Sequence, residues 1–277
     1  ISKMGRWVLR GPLDEAEIVS YRGIATTVAS SGGDFTEAMS YILEAMLQSP
    51  RFVYRIESQR GGGSSWPASQ HELASRLSYI LWGSPPDEEL LKAADEGRLD
   101  LKATAAQADR MLKDPRSKQR SRQFVSQWLN LGRLSNMQPG KEHYPQWDPN
   151  LAGDMRDETL AFFDEIVWTQ NHPLSELLNA QVTFVTPRLA RHYGLKPQDG
   201  AADQPARYDL QSTPGRGGLL THGSVLTVGG DEASMVTRGL FVLQDLLRGV
   251  VKDPPPCVDT TPVPTKAGLT QRSIAEA

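Results

Sequence analysis

In RGGLLTHGSVLTVGGDEASMVTRGLFVLQDLLRG, residues 216–249, two Gly-rich turns bracket a short apolar run. His222 lies in the first turn and Met235 opens a helical pattern. A neutral imidazole and a soft thioether both suit iron, and together they form the usual axial pair of an electron-transfer haem. The two lie thirteen positions apart, a spacing that imposes no geometry by itself. The structural alternative has His222 bonding to turn backbone and Met235 filling a gap beneath the last helix.

Other groupings point to other chemistry. Gly217, Gly218, Gly229 and Gly230 could turn backbone N–H groups toward an anion. Asp231 and Glu232 stand where phosphate would sit, however, and neither cluster matches GxxxxGK[ST] or GxGxxG. Ser224 lies in THGSV, which is not a GxSxG elbow. The segment DMRDETLAFFDEI carries Asp154, Asp157, Glu158, Asp164 and Glu165. Glu158 and Glu165 share a helix face, which could aim two carboxylates into a bundle, but no Glu-x-x-His accompanies them. A solvated face is the expectation there. RSKQRSRQF (116–124) reads as the polar side of an amphipathic helix that buries Phe124, Val125 and Trp128 rather than as a nucleic-acid patch. Trp82, Trp128, Trp147 and Trp168 are read as core.

Composition bounds these readings. The chain has 277 residues, 39% hydrophobic and 23% charged, with a net charge of −3. Those values suit a globular body and give no global attraction to nucleic acid or an anionic membrane. No apolar run approaches the roughly 20 residues of a membrane span. Cys257 is the single cysteine. No internal disulfide, cysteine-based zinc site or CxxCH haem attachment can therefore form within the chain. The proline-rich setting of Cys257 offers no thiolate stabilisation, so it is read as an unreactive thiol or as the partner of a cysteine elsewhere.

The elements that must position these groups are mostly helices. Asp34/Glu37 and Ser69/Glu72 have capping-box spacing. Met39, Ile42, Leu43 and Met46 share one face, as do Leu73, Leu77, Ile80 and Leu81. Helices are expected near 102–113, 116–131, 150–169 and 236–248, with a brief strand in QVTFV, a short helix from Pro187 to Gly194 and polar loop over 195–214. QRGGGSSWPAS (59–69) is the expected domain break. The fold class is mostly α, in bundle-like helical domains with a few short strands. The ends, Ile1 and a helix start capped by Thr270, lead to the expectation that this is an internal piece of a longer protein.

GRWVLRGPLDEAEI…EAMLQSPRFVYRIE, ELASRLSYILWGSPPDEELLKAADEGRL, RDETLAFFDEIV…VTFVTPRLARHYGL and RGGLLTHGSVLT…VTRGLFVLQDLLRG…PPP follow one another in an order that resembles the planctomycete cytochrome-c-associated domains of unknown function. The resemblance implies one associated domain over 1–58, a larger one over 69–200, and over 207–277 the opening part of a cytochrome-type domain without its CxxCH pair. It further implies a secreted or periplasmic protein, with no haem attached to this chain and haem c in the adjoining part of the full protein. Its partner would then be the remainder of the same polypeptide, a cytochrome domain or another envelope protein. Any enzyme activity would be that of an oxidoreductase in the complete protein. His222 and Met235 are then candidates for haem proximity, with Arg238 as a propionate partner because guanidinium pairs bidentately with carboxylate. A non-catalytic scaffold of an envelope assembly and a carboxylate-based hydrolase are the alternatives. The hydrolase requires paired carboxylates in an open cleft.

Overall fold

The computed structural model describes residues 1–58, 62–63, 65–142, 144–198, 204–232, 234–252 and 273. The fold is mostly α, and its helices begin where short polar side chains can satisfy the first free amides. Helix α1 spans Ser2–Val8. Helix α2 (Glu15–Ser30) opens on a reciprocal capping box between Asp14 and Glu17. In α3 (Phe35–Gln48) Asp34 accepts the Glu37 amide, and in α4 (Pro50–Val53) Ser49 accepts the Arg51 amide. Helix α5 (Gln70–Leu81) carries the Ser69/Glu72 box. Asp87 and Asp100 cap α6 (Glu88–Asp95) and α7 (Leu101–Leu112), and α8 follows over Pro115–Trp128.

The chain divides into two compact units, 1–121 and 122–277. This division does not follow the Gly-rich break at 59–69, because residues from both sides of it pack in the first unit. Arg6, for example, pairs with Glu88 at 2.8 Å and Asp95 at 2.7 Å. The first unit has one core around Leu9, Tyr21, Ile42 and Met46, and another around Ala74, Trp82, Leu90 and Met111. Two residues of the expected apolar faces turn outward: Leu43 is 38% exposed and Ile80 is 59% exposed. Ala38 and, in the other helix, Ala74 and Ser78 are buried instead.

In the second unit, α9 (Pro149–Phe163) is capped by Asp148 and continues as a π-helical turn over Asp164–Thr169. Strand β1 (Val182–Val185) precedes α10 (Pro187–His192). Strand β2 (Ala206–Asp209) lies within the expected polar loop and pairs antiparallel with β1, Val182 opposite Asp209 and Val185 opposite Ala206. Helix α11 covers Gly223–Leu226, and α12 (Met235–Phe241) continues as a second π-helical turn over Val242–Leu246. The principal core joins Val125, Leu129, Phe162, Phe163 and Ile166 to Leu219, Val225, Val228 and Phe241. A second cluster gathers Leu134, Leu151, Met155, Val185, Leu189 and Tyr208. Cys257, the Pro-rich exit and the Thr270 cap lie outside the described residues.

Candidate functional site

Helix α9 carries most of the polar chemistry of the second unit, and it carries it inward. Asp154, Glu158 and Thr159 are all buried. A buried carboxylate is tolerated when hydrogen bonds replace its water, and both carboxylates here are so supplied. Asp154 accepts from the Thr186 hydroxyl at 2.7 Å and from the forked guanidinium of Arg188 at 2.7 and 3.0 Å. Glu158 accepts from Thr183 Oγ1 and from the Tyr193 hydroxyl, each at 2.6 Å. The solvated face expected for Glu158 is thus corrected: the residue is 1% exposed. Thr183 is on β1 and Tyr193 ends α10, so one side chain ties α9 to both elements.

The Tyr193 hydroxyl also accepts the Gly223 amide at 2.6 Å, which draws α11 into the same network. Burial, then the neighbouring Glu158 charge, pushes the Tyr193 phenol well above its ordinary range, and it therefore remains a hydrogen-bond donor. Gly223 is required here on steric grounds, since a Cβ would stand 2.7 Å from the Tyr193 oxygen and 2.8 Å from Met155 Sδ.

One turn along α9, Thr159 Oγ1 lies 3.2 Å from His222 Nδ1 and 2.6 Å from Ser224 Oγ. It also donates to the Met155 carbonyl at 3.2 Å. With the Thr159 proton directed there, His222 Nδ1 and the Ser224 hydroxyl both donate to Thr159. His222 Nε2 then carries a bare lone pair, and among the described residues it has no hydrogen-bond partner. The imidazole packs edge-on to Phe162 with centroids 4.7 Å apart. Burial lowers its pKa, so it is held neutral.

Above this network lies an open pocket of about 540 Å³, within the 300–1,000 Å³ typical of small-molecule sites. Its walls include Met137, Tyr144, Trp147, Met155, Tyr193 and Leu226, and Arg216 and Asp231 bring charge to it. Arg216 lies over the Tyr193 ring, its guanidinium carbon 3.5 Å from the centroid. Trp147 is accordingly a pocket wall as well as a core neighbour.

Of the haem-contact candidates, the network includes His222. Met235 and Arg238, both half-buried, stand in the first turn of α12. The cation in the pocket is Arg216. Two of the glycines use their amides within the chain: Gly217 N–H donates to Thr221 and Gly218 N–H to the Ala180 carbonyl. A Cβ at Gly218, whose φ is +66°, would meet the Leu178 carbonyl at 2.1 Å. No anion cradle is left there. Glu165 accepts from Gln170 and lies 3.8 Å from Arg207, so Glu158 and Glu165 do not form paired carboxylates in an open cleft. In α8, Arg116 pairs with Asp114 and Arg122 with Asp164, and Phe124 is 60% exposed where burial was expected. Phe124 stacks instead on Trp128, whose Nε1 bonds the Asp245 carbonyl. Among the described residues no group of three metal-ligating side chains occurs, and no helix is long and apolar enough to cross a membrane.

A covalent haem does not fit the residues of this chain. There is one cysteine and no CxxCH, and His222, despite its unpartnered Nε2, is enclosed at 2% exposure.

Three family models match the chain, each described as a protein of unknown function: DUF1595 (PSD5) over residues 1–57, DUF1592 (PSD4) over 68–195 and DUF1588 (PSCyt3) over 216–277. No curated protein and no solved structure matches it. The pocket and the network beneath it draw on both of the later matches: Met137 to Tyr193 on one side, Arg216 to Asp231 on the other. The chain belongs to the planctomycete cytochrome-c-associated domains, carrying three of them in succession.

Proposed function

We propose that this chain is the supporting part of an extracytoplasmic redox protein linked to a c-type cytochrome. In this reading its second unit is a platform that fixes the first part of the cytochrome-named segment for a haem held elsewhere in the complete protein. The observation that carries the reading is the shared core. Leu219, Val225, Val228 and Phe241, within the PSCyt3 match, pack into one cluster with Phe162, Phe163 and Ile166 of the PSD4 match. Burial of this kind contributes about 1.5–3 kcal/mol per large apolar side chain, which is ample to hold the segment in place.

The partner in this reading is the haem-bearing remainder of the polypeptide or a separate cytochrome domain. The role of His222 is to hold α11 against α9 from beneath, and haem proximity of Met235 and Arg238 is a feature of the same proposal. The test is a visible absorption spectrum with a pyridine haemochrome assay on the protein isolated from its source. A c-type signal on the same particle is expected. A colourless particle that retains its flanking sequence would overturn the redox reading in favour of a plain envelope scaffold.

A further inference from the structure

Arg216 is unusual among the cations of this chain. It lines an open, largely apolar pocket, holds its guanidinium carbon 3.5 Å from the Tyr193 ring centroid, and makes no ion pair among the described residues. Among the described residues its Nη2 is buried without a hydrogen-bond partner. Leaving such a donor unmet costs roughly 1–3 kcal/mol, and the guanidinium that carries it lines the pocket. The guanidinium is also held in position beforehand. It rests on a tyrosine whose hydroxyl is fixed at 2.6 Å by both Glu158 and the Gly223 amide. A planar, pre-positioned fork matches the two oxygens of a carboxylate. The remaining walls, Met137, Trp147, Met155 and Leu226, favour an apolar body.

We propose that this pocket binds an organic monocarboxylate with an apolar body, its carboxylate on Arg216 and its body against Trp147 and Met155. Asp231 lines the same pocket, and its Oδ1 already accepts the Gln138 amide. It opposes a second negative charge and so favours mono- over dicarboxylates. The site is a property of the 277-residue chain and does not depend on the haem proposal.

The test is isothermal titration of the whole chain with 1-naphthaleneacetate and with its neutral amide, 1-naphthaleneacetamide. The acid is expected to bind at least tenfold more tightly than the amide. Arg216→Met, which keeps an apolar stem, should abolish that preference, and Arg216→Lys should retain part of it. Asp231→Asn should tighten the acid without changing the amide. Each variant is compared at matched thermal stability, and the lysine variant decides the matter if the methionine variant does not fold. Equal binding of acid and amide, no binding of the acid up to its solubility limit, or a preference that survives Arg216→Met would each overturn the proposal.

Discussion

The Tyr193 hydroxyl stands 2.6 Å from Glu158 Oε2 and 2.6 Å from the Gly223 amide nitrogen, donating to the first and accepting from the second. Through this one oxygen the end of α10 joins α9 to α11. Removing it leaves a buried carboxylate oxygen and a backbone N–H without partners. Tyr193→Phe is therefore expected to destabilise the second unit by about 2 kcal/mol, the usual cost of orphaned buried polar groups. Urea denaturation measures this. A double-mutant cycle with Glu158→Ala should show coupling, because each change removes the Tyr193–Glu158 bond. An additive cycle would mean the bond carries no weight.

Gly223→Ala is a separate steric probe of the same junction. Its Cβ would press on Tyr193 and Met155 at distances no ordinary contact reaches. Overpacking of this kind costs roughly 1–3 kcal/mol. The expected outcome is a lower urea midpoint together with weaker acid binding in the pocket, since the Tyr193 ring that seats Arg216 must shift. Gly230→Ala makes a comparison without close contacts: nothing stands within 4 Å of its Cβ, and its penalty would come from the positive φ of 80° alone.

Acid should loosen the second unit. Burial lowers the pKa of His222 below its ordinary 6.5. The folded form therefore resists a proton that the unfolded chain takes up. The sign follows from linkage: stability is complete above about pH 6.5 and falls as the pH drops from there through the folded-state pKa. Thr159 and Phe162 contact the ring, with Glu158 favouring its protonation and Arg216 opposing it. Burial and Arg216 also lower the pKa of His192, which adds in the same direction. Thermal melting between pH 7 and pH 5 should show a falling Tm, with a smaller fall in His222→Asn. An identical pH slope in that variant would contradict this account of His222.

Much of the helical frame was legible in the sequence, because caps and breakers act locally. Asp34, Ser69 and Pro50 mark real boundaries, and the helical period places Ile42 and Met46 inward. Strand β2 was not legible: Ala206–Asp209 is four residues long, and only its pairing with β1 makes it a strand. The site was legible in part. His222 stood out by residue type, but its setting depends on Thr159 and Phe162, sixty-three and sixty residues earlier in the chain. Glu158 read as solvated because charge on a helix is usually outside. The signal that could have corrected it is the set of apolar neighbours on its face, Leu151, Met155 and Phe162. Arg216 carried no sequence signal, since an unpaired cation over an aromatic ring is a purely tertiary feature.

The central claim is that the beginning of the cytochrome-named segment and helix α9 form one cooperative body. Native-state hydrogen exchange on the 277-residue chain tests it most directly. Amides of 219–228 and of 155–163 are predicted to open with the same free energy. Phe162→Ala, which removes a fully buried ring and should cost about 3–5 kcal/mol, is predicted to lower protection in both segments together. Rapid exchange over 219–228 while 155–163 stays protected, or a loss of protection confined to α9 in the variant, would contradict it.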